Sequence, residues 1–343
     1  MSLQRPPAPA ALLERAQELA DAVLFPRALE TDRAALLPAD RLDELAAAGL
    51  YGLTGPADAG GMGLEDRRDV WGTVERLASG CLTTTFVWAQ HLGTVTAVAA
   101  AGGGFRERWL GGLCSGTVRA GVAFSALRRP GPPMLTATPA DGGWLLNGAA
   151  PWVSGWGRID VIRVAARHGD DIVWSLIDAR DSASLRAEPL ELAALNASGT
   201  VTLHFDGHRA PADRVIRVQS FEDWRERDRE GLRLNGSHAL GVATRCSRML
   251  GEPRLLDAVD DARATLDDAG ADELPLARAQ ASRLAMHVAE RLVTIGGGRS
   301  LLVADHAQRL AREALFLLVF GQTPAIRAVQ LLDRVSGSPA WDR

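Results

Sequence analysis

The sequence predicts an α+β protein in three parts. Helical periodicity runs to about residue 117, short alternating runs fill 118–221, and helical periodicity returns over 222–343. At 343 residues and 47% hydrophobic content, the chain is long enough to bury a substantial core, which fits one compact unit of sub-domains.

Each part rests on its own pattern. In ALLERAQELADAVL and RLDELAAAGL the apolar residues recur at spacings of three and four, so the first 117 residues read as all-α. VRAGVAF, GGWLLNG, VIRVAAR, IVWSLIDA and TVTLHFDG are short runs rich in β-branched and aromatic residues. DGG, HGDD and DGH punctuate them, as hairpin turns do, and 118–221 is therefore read as a β domain. The runs LNGSHALGVATRCSRML, PRLLDAVDDARATLDDA, LPLARAQASRLAMHVAERLVTI and ADHAQRLAREALFLLVF follow in succession and predict a helical bundle over 222–343.

Composition removes several function classes. The chain contains no lysine, so all 38 basic residues are arginine. A P-loop lysine, a Schiff-base lysine and a Ser-Lys dyad each need an ammonium group, so P-loop ATPases and pyridoxal phosphate enzymes are out. A net charge of -4 with interleaved signs gives no basic stripe, and no nucleic acid partner is expected. Cys81, Cys114 and Cys246 form no CxxC, and the seven histidines show no paired metal spacing, so no metal site is expected. His238 stands out because it lies beside the first bundle helix. Asp260, Asp261, Asp267 and Asp268 read as a solvated helix face. With no run of about 18 apolar residues and no secretory-type start, a cytoplasmic protein without a membrane span is expected.

Four motifs carry a family resemblance. PADAGGMG (56–63) is similar to the Pro-acidic-Gly-Gly-x-Gly turn of acyl-CoA dehydrogenases, and WLLNGAAPWVSGWGRID (144–160) to their strand, Asn-Gly turn and Trp-hydrophobic-Ser/Thr segment. LNASGTVTLHFDGHRAPADRVI (195–216) resembles their Ser-x-Thr strand and acidic turn. AQRLAREALFLLVFGQTPAI resembles their closing helix, where an Arg-acidic-Ala triplet precedes an aromatic, the catalytic Glu, a Gly and a Thr. The resemblance implies an acyl-CoA dehydrogenase-like fold with a helical N-terminal domain, a middle β-barrel and a C-terminal four-helix bundle. It implies FAD as cofactor, an acyl-CoA or other acyl thioester as substrate, and a homodimer, homotetramer or heteromer with a catalytic relative.

By the same resemblance Trp152 packs on the flavin ring, while Ser154 and the segment Phe124, Ser125 and Leu127 meet its polar edge. Arg248 is a candidate clamp for the FAD pyrophosphate, Gly297 a candidate backbone donor, and Thr323 stands at the family's threonine. The family's Thr-Glu-Pro loop is altered, with Leu127 and Arg128 in place of Thr and Glu.

The largest departure is at the base. Counting from Arg312, Glu313 and Ala314 puts Phe320 at the aromatic position and Gly321 where the glutamate belongs. A minority of the family carries its base on the first bundle helix. That register falls on Gly231, with Glu230 one residue and about 100° away. Glu230 is thus the candidate catalytic carboxylate, and a glycine-capped helix is the plain structural reading of Gly321. Three functions follow: an FAD-dependent α,β-dehydrogenase of acyl thioesters, a non-catalytic or half-site subunit of a heteromer, and a flavin oxidase or monooxygenase on the same fold.

Overall fold

The structure, a computed structural model, describes residues 9–102 and 104–332. Six helices come first: α1 (Pro9–Leu19), α2 (Ala28–Arg33), α3 (Ala39–Ala47), α4 (Arg67–Gly80), α5 (Leu82–Ala99) and α6 (Gly104–Ser115). Helix α5 is apolar on nearly all faces, with every residue from Leu82 to Ala89 buried, so it runs through the core.

Eight strands follow: β1 (Ala120–Ala123), β2 (Leu135–Ala140), β3 (Gly143–Val153), β4 (Val161–His168), β5 (Asp171–Asp178), β6 (Leu185–Pro189), β7 (Val201–Pro211) and β8 (Val215–Ser220). They form one sheet in the order β6-β7-β3-β2-β4-β5-β8, with β1 added parallel to β4. Val173 of β5 and Phe205 of β7 share one core, so the sheet folds over its own apolar face. Among the described residues β6 and β8 are not hydrogen-bonded to each other. The expected barrel is therefore a wrapped but open sheet.

The C-terminal part comprises α7 (Phe221–Arg227), α8 (Gly231–Leu250), α9 (Pro253–Asp268), α10 (Leu274–Gly296), α11 (His306–Val319) and α12 (Pro324–Leu332). Helices α8 to α11 bury one core of Ala, Leu and Val, including Ala243, Leu284 and Leu310, which also takes in Phe86 of α5. No single helix is long and apolar enough to cross a membrane among the described residues.

Two contacts fix how the parts meet. The His91 ring joins α5, α6 and β1: its Nε2 lies 3.0 Å from the Leu113 carbonyl, and its Nδ1 accepts from the Ala120 amide at 3.0 Å. Burial holds this imidazole down at about 4, so it is a neutral structural bridge. Gly241 brings α8 against α4, for a Cβ there would sit 2.3 Å from the Glu75 carbonyl oxygen and 2.7 Å from Ala78 Cβ. Gly241→Ala is expected to cost about 1–3 kcal/mol despite alanine's better helix propensity, seen as a lower urea midpoint. An unchanged midpoint would mean that the two helices separate freely.

Candidate active site

A cavity of about 560 Å³ opens between the sheet, α5 and the end of α11. Its shape follows from local backbone events. The β3–β7 register shifts between Ala150 and Val153, a bulge, and Trp152 within it has φ +63. A bulky residue in the left-handed region is strained, and here the strain turns the indole out of the sheet into the cavity, 51% exposed. Opposite, α11 stops after Val319, and Gly321 reverses the chain at φ +61. Glycine suits that conformation, which is the helix-capping role read from the sequence. Buried Arg278 donates to the Leu317 and Phe320 carbonyls at 3.2 and 3.3 Å, satisfying acceptors that the helix end leaves over.

The lining is mainly aromatic. Phe86 meets Phe316 and Phe320 edge-on with centroids 5.1 and 5.0 Å apart, and Phe316 stacks on Phe320. Polar groups are few. Ser125 donates to the Pro151 carbonyl at 2.5 Å, tying the loop after β1 to the bulge. Ser154 and Thr200 line the cavity in a hydroxyl chain, Ser154 to Thr200 at 2.7 Å and Thr200 to Ser198 at 2.8 Å. Three hydroxyls joined by two hydrogen bonds keep one proton spare. In the relay Ser198 to Thr200 to Ser154 that proton is on Ser154, at the cavity wall; when Ser154 donates to Thr200 it is on Thr200 or Ser198 instead.

The structure thus brings Phe124, Ser125, Trp152, Ser154 and Gly321 together. Leu127 is 7% exposed and packs instead with Ala165, Ile172 and Trp174, because the turn after Phe124 points it into the sheet core. Arg248 lies on the surface, 3.3 Å from Gln17 and 3.7 Å from Asp21. Gly297 ends α10 at φ +58 with open space around it, and Thr323 accepts from the Ile326 amide at 3.2 Å as a cap for α12. These four do not line the cavity.

Glu230 is not brought to it either. Its side chain is 58% exposed and 3.4 Å from Arg67, since α8 starts one residue later and turns it outward. The geometry lends it no role as the base. Among the described residues no carboxylate lines the cavity, and its ionisable lining residues are Arg128 and Arg129. His238 lies just behind, its ring 5.6 Å from Phe320, with neither ring nitrogen hydrogen-bonded in normal geometry. Burial and then the Arg278 guanidinium hold it down at about 4, with the Leu234 and Asn235 backbone pulling weakly the other way.

Phe86, Phe316 and Arg129 went unnoticed in the sequence, and Thr200 lay in the Ser-x-Thr motif without being assigned to the site. Phe316 on α11 and Phe320 just past its end, four apart in an apolar run that reads as helical, did carry a signal for a shared face. Phe86 carried none, because α5 is apolar all round.

Helical, sheet and bundle layers around an aromatic, hydroxyl-edged cavity define the class. This is the acyl-CoA dehydrogenase fold, and residues 7–117 match the family model described as acyl-CoA dehydrogenase, N-terminal domain. Butyryl-CoA dehydrogenase from Megasphaera elsdenii superposes with a TM-score of 0.81 at 18% identity, covering 98% of this chain and 99% of that one. L-evernosamine nitrososynthase of Micromonospora sp. (strain ATCC 39149 / NRRL 15099 / SCC 1413) is 29% identical over 210 residues, 55% of this chain and 47% of that protein. The mitochondrial short-chain specific acyl-CoA dehydrogenase of Homo sapiens is 23% identical over 230 residues, 63% of this chain and 54% of that protein. The chain spans about half the length of these curated relatives.

Proposed function

We propose that the chain is a flavoprotein of the acyl-CoA dehydrogenase type that seats FAD and an acyl thioester in this cavity without supplying the proton acceptor, acting as a half-site subunit beside a relative that has one. The observation that carries this is a cavity with no carboxylate among the described residues. The cavity fits a flavin ring. Its volume lies in the range of ligand sites, the Trp152 indole offers a flat apolar face, and Ser154 has a proton to donate when Thr200 donates to it. FAD, when bound, would take the hydride from the acyl Cβ. Trp152, Phe86, Phe316 and Phe320 would exclude water from the reacting carbons. The Gly321 amide is a candidate donor to the thioester carbonyl. The proton on Cα still needs a base, and no carboxylate in this cavity provides one. Ile295, Leu301, Leu302 and Val303 are 58–74% exposed, an apolar surface suited to a second subunit. A soluble protein working in the cytoplasm is consistent with this reading.

The test is flavin absorbance. The purified chain is expected to hold FAD and to be bleached slowly by acyl-CoAs on its own. It should bleach fast after co-assembly with a relative carrying the glutamate. Rapid bleaching by the chain alone would sink the half-site reading. A second reading, an oxygenase on the same fold, is favoured by the identity to L-evernosamine nitrososynthase and needs no base for Cα. Oxygen uptake with an amine substrate and a flavin reductant, without bleaching by acyl-CoAs, would put it first.

A further inference from the structure

Charge balance at the cavity mouth carries one more step. Arg128 and Arg129 sit side by side in the loop after β1, and both line the cavity. Arg128 is neutralised: Nε and Nη2 donate to the two oxygens of Asp228 at 2.7 Å each, and its guanidinium lies 4.9 Å from the Phe124 ring centroid. Arg129 is different. It is exposed, and among the described residues its side chain has no ion-pair or hydrogen-bond partner. Its backbone is nevertheless fixed. The Arg129 amide donates to the Ala126 carbonyl at 3.3 Å, and φ -82, ψ 134 is the extended conformation that Pro130 imposes on the residue before it. A guanidinium held at the rim of an apolar, carboxylate-free cavity is an uncompensated positive charge. Its planar fork matches a carboxylate or phosphate.

We infer that Arg129 is a specificity-determining residue that binds an oxyanion of the ligand at the cavity mouth. The inference rests on the cavity being the FAD and acyl-thioester site. The oxyanion has three sources: a carboxylate at the far end of the acyl group, a phosphate of the CoA carrier, or the FAD pyrophosphate. The shared chemistry is the same, and the sources separate in a binding experiment.

Titration calorimetry would compare wild type and Arg129→Gln with FAD, then, on FAD-loaded protein, with a monoacyl-CoA, a dicarboxylic monoacyl-CoA of equal length and the neutral acyl-pantetheine. Circular dichroism of both proteins controls for folding, and Arg129→Lys tests partial rescue. The expected result is about tenfold or greater weakening of at least one anionic ligand, with acyl-pantetheine unchanged. Loss for the dicarboxylic ligand only assigns the acyl carboxylate. Equal loss for both CoA ligands assigns the carrier phosphate, and loss for FAD assigns its pyrophosphate. Affinities equal to wild type throughout would overturn the inference, as would acyl-pantetheine weakened as much as the others. If wild type binds none of the four, the cavity reading itself fails, and this inference falls with it.

Discussion

Asn235→Ala combined with Gly321→Glu is expected to raise the rate of flavin bleaching by acyl-CoAs about 10²- to 10⁴-fold, the usual worth of a positioned general base. The spacing from Arg312 to Thr323 resembles the family pattern, and Gly321 lines the cavity, so a carboxylate there would face into the space proposed for the acyl group. The single change is expected to do less. At φ +61 a glutamate costs about 1–2 kcal/mol of backbone strain, and its Cβ would lie 2.6 Å from Asn235 Nδ2. Shortening Asn235 removes the collision, though not the strain. Glu230→Gln should leave both activity and stability unchanged, since an exposed pair with Arg67 contributes about 1 kcal/mol at most. A double variant that holds FAD and is still not bleached faster would mean that the acyl group does not bind against Gly321.

Glu313→Leu should destabilise the fold by about 3–5 kcal/mol, the largest stability effect foreseen here, because it leaves a buried charge unpaired. Arg309 and Glu313 are 1% and 4% exposed at their side chains and 2.5 Å apart, one turn from each other on α11. Removing the other partner should cost less. A guanidinium stays charged at any working pH, whereas Glu313 can take a proton, and burial already raises its pKa. In Arg309→Met that pKa, no longer held down by the guanidinium, rises further above its unfolded value. The folded state then binds more protons than the unfolded one, so the stability deficit should shrink as pH falls from 8 toward 5. Urea midpoints across that range decide the matter. Equal losses for both variants, independent of pH, would show that the helix packing and not the charge is responsible.

The two predictions differ in how much of them could be read from the sequence. Gly321 was found by counting along one helix, and its capping role was legible because a glycine after an apolar run and before Thr-Pro is a local signal. The burial of Glu313 was not. The same letters in a triplet describe an exposed ion pair equally well, and only the packing of α11 against α10, α8 and α2 removes the water.

What the sequence by itself determined is the order of layers and the part of the cavity written in one stretch. Periods of 3.6 and 2 are imposed by backbone geometry, so the α, β, α succession was readable without a partner in space. Trp152 and Ser154 were readable because they lie two residues apart in a motif. The tertiary structure decided everything that depends on residues distant in sequence: the turning of Leu127 into the sheet core, the outward face of Glu230, the sheet that wraps without closing, and the pairing of Arg128 with Asp228 that leaves Arg129 free. Side-chain direction at a helix start or a bulge shifts by about 100° or a whole face with one residue of register. Long-range packing, not local preference, sets that register.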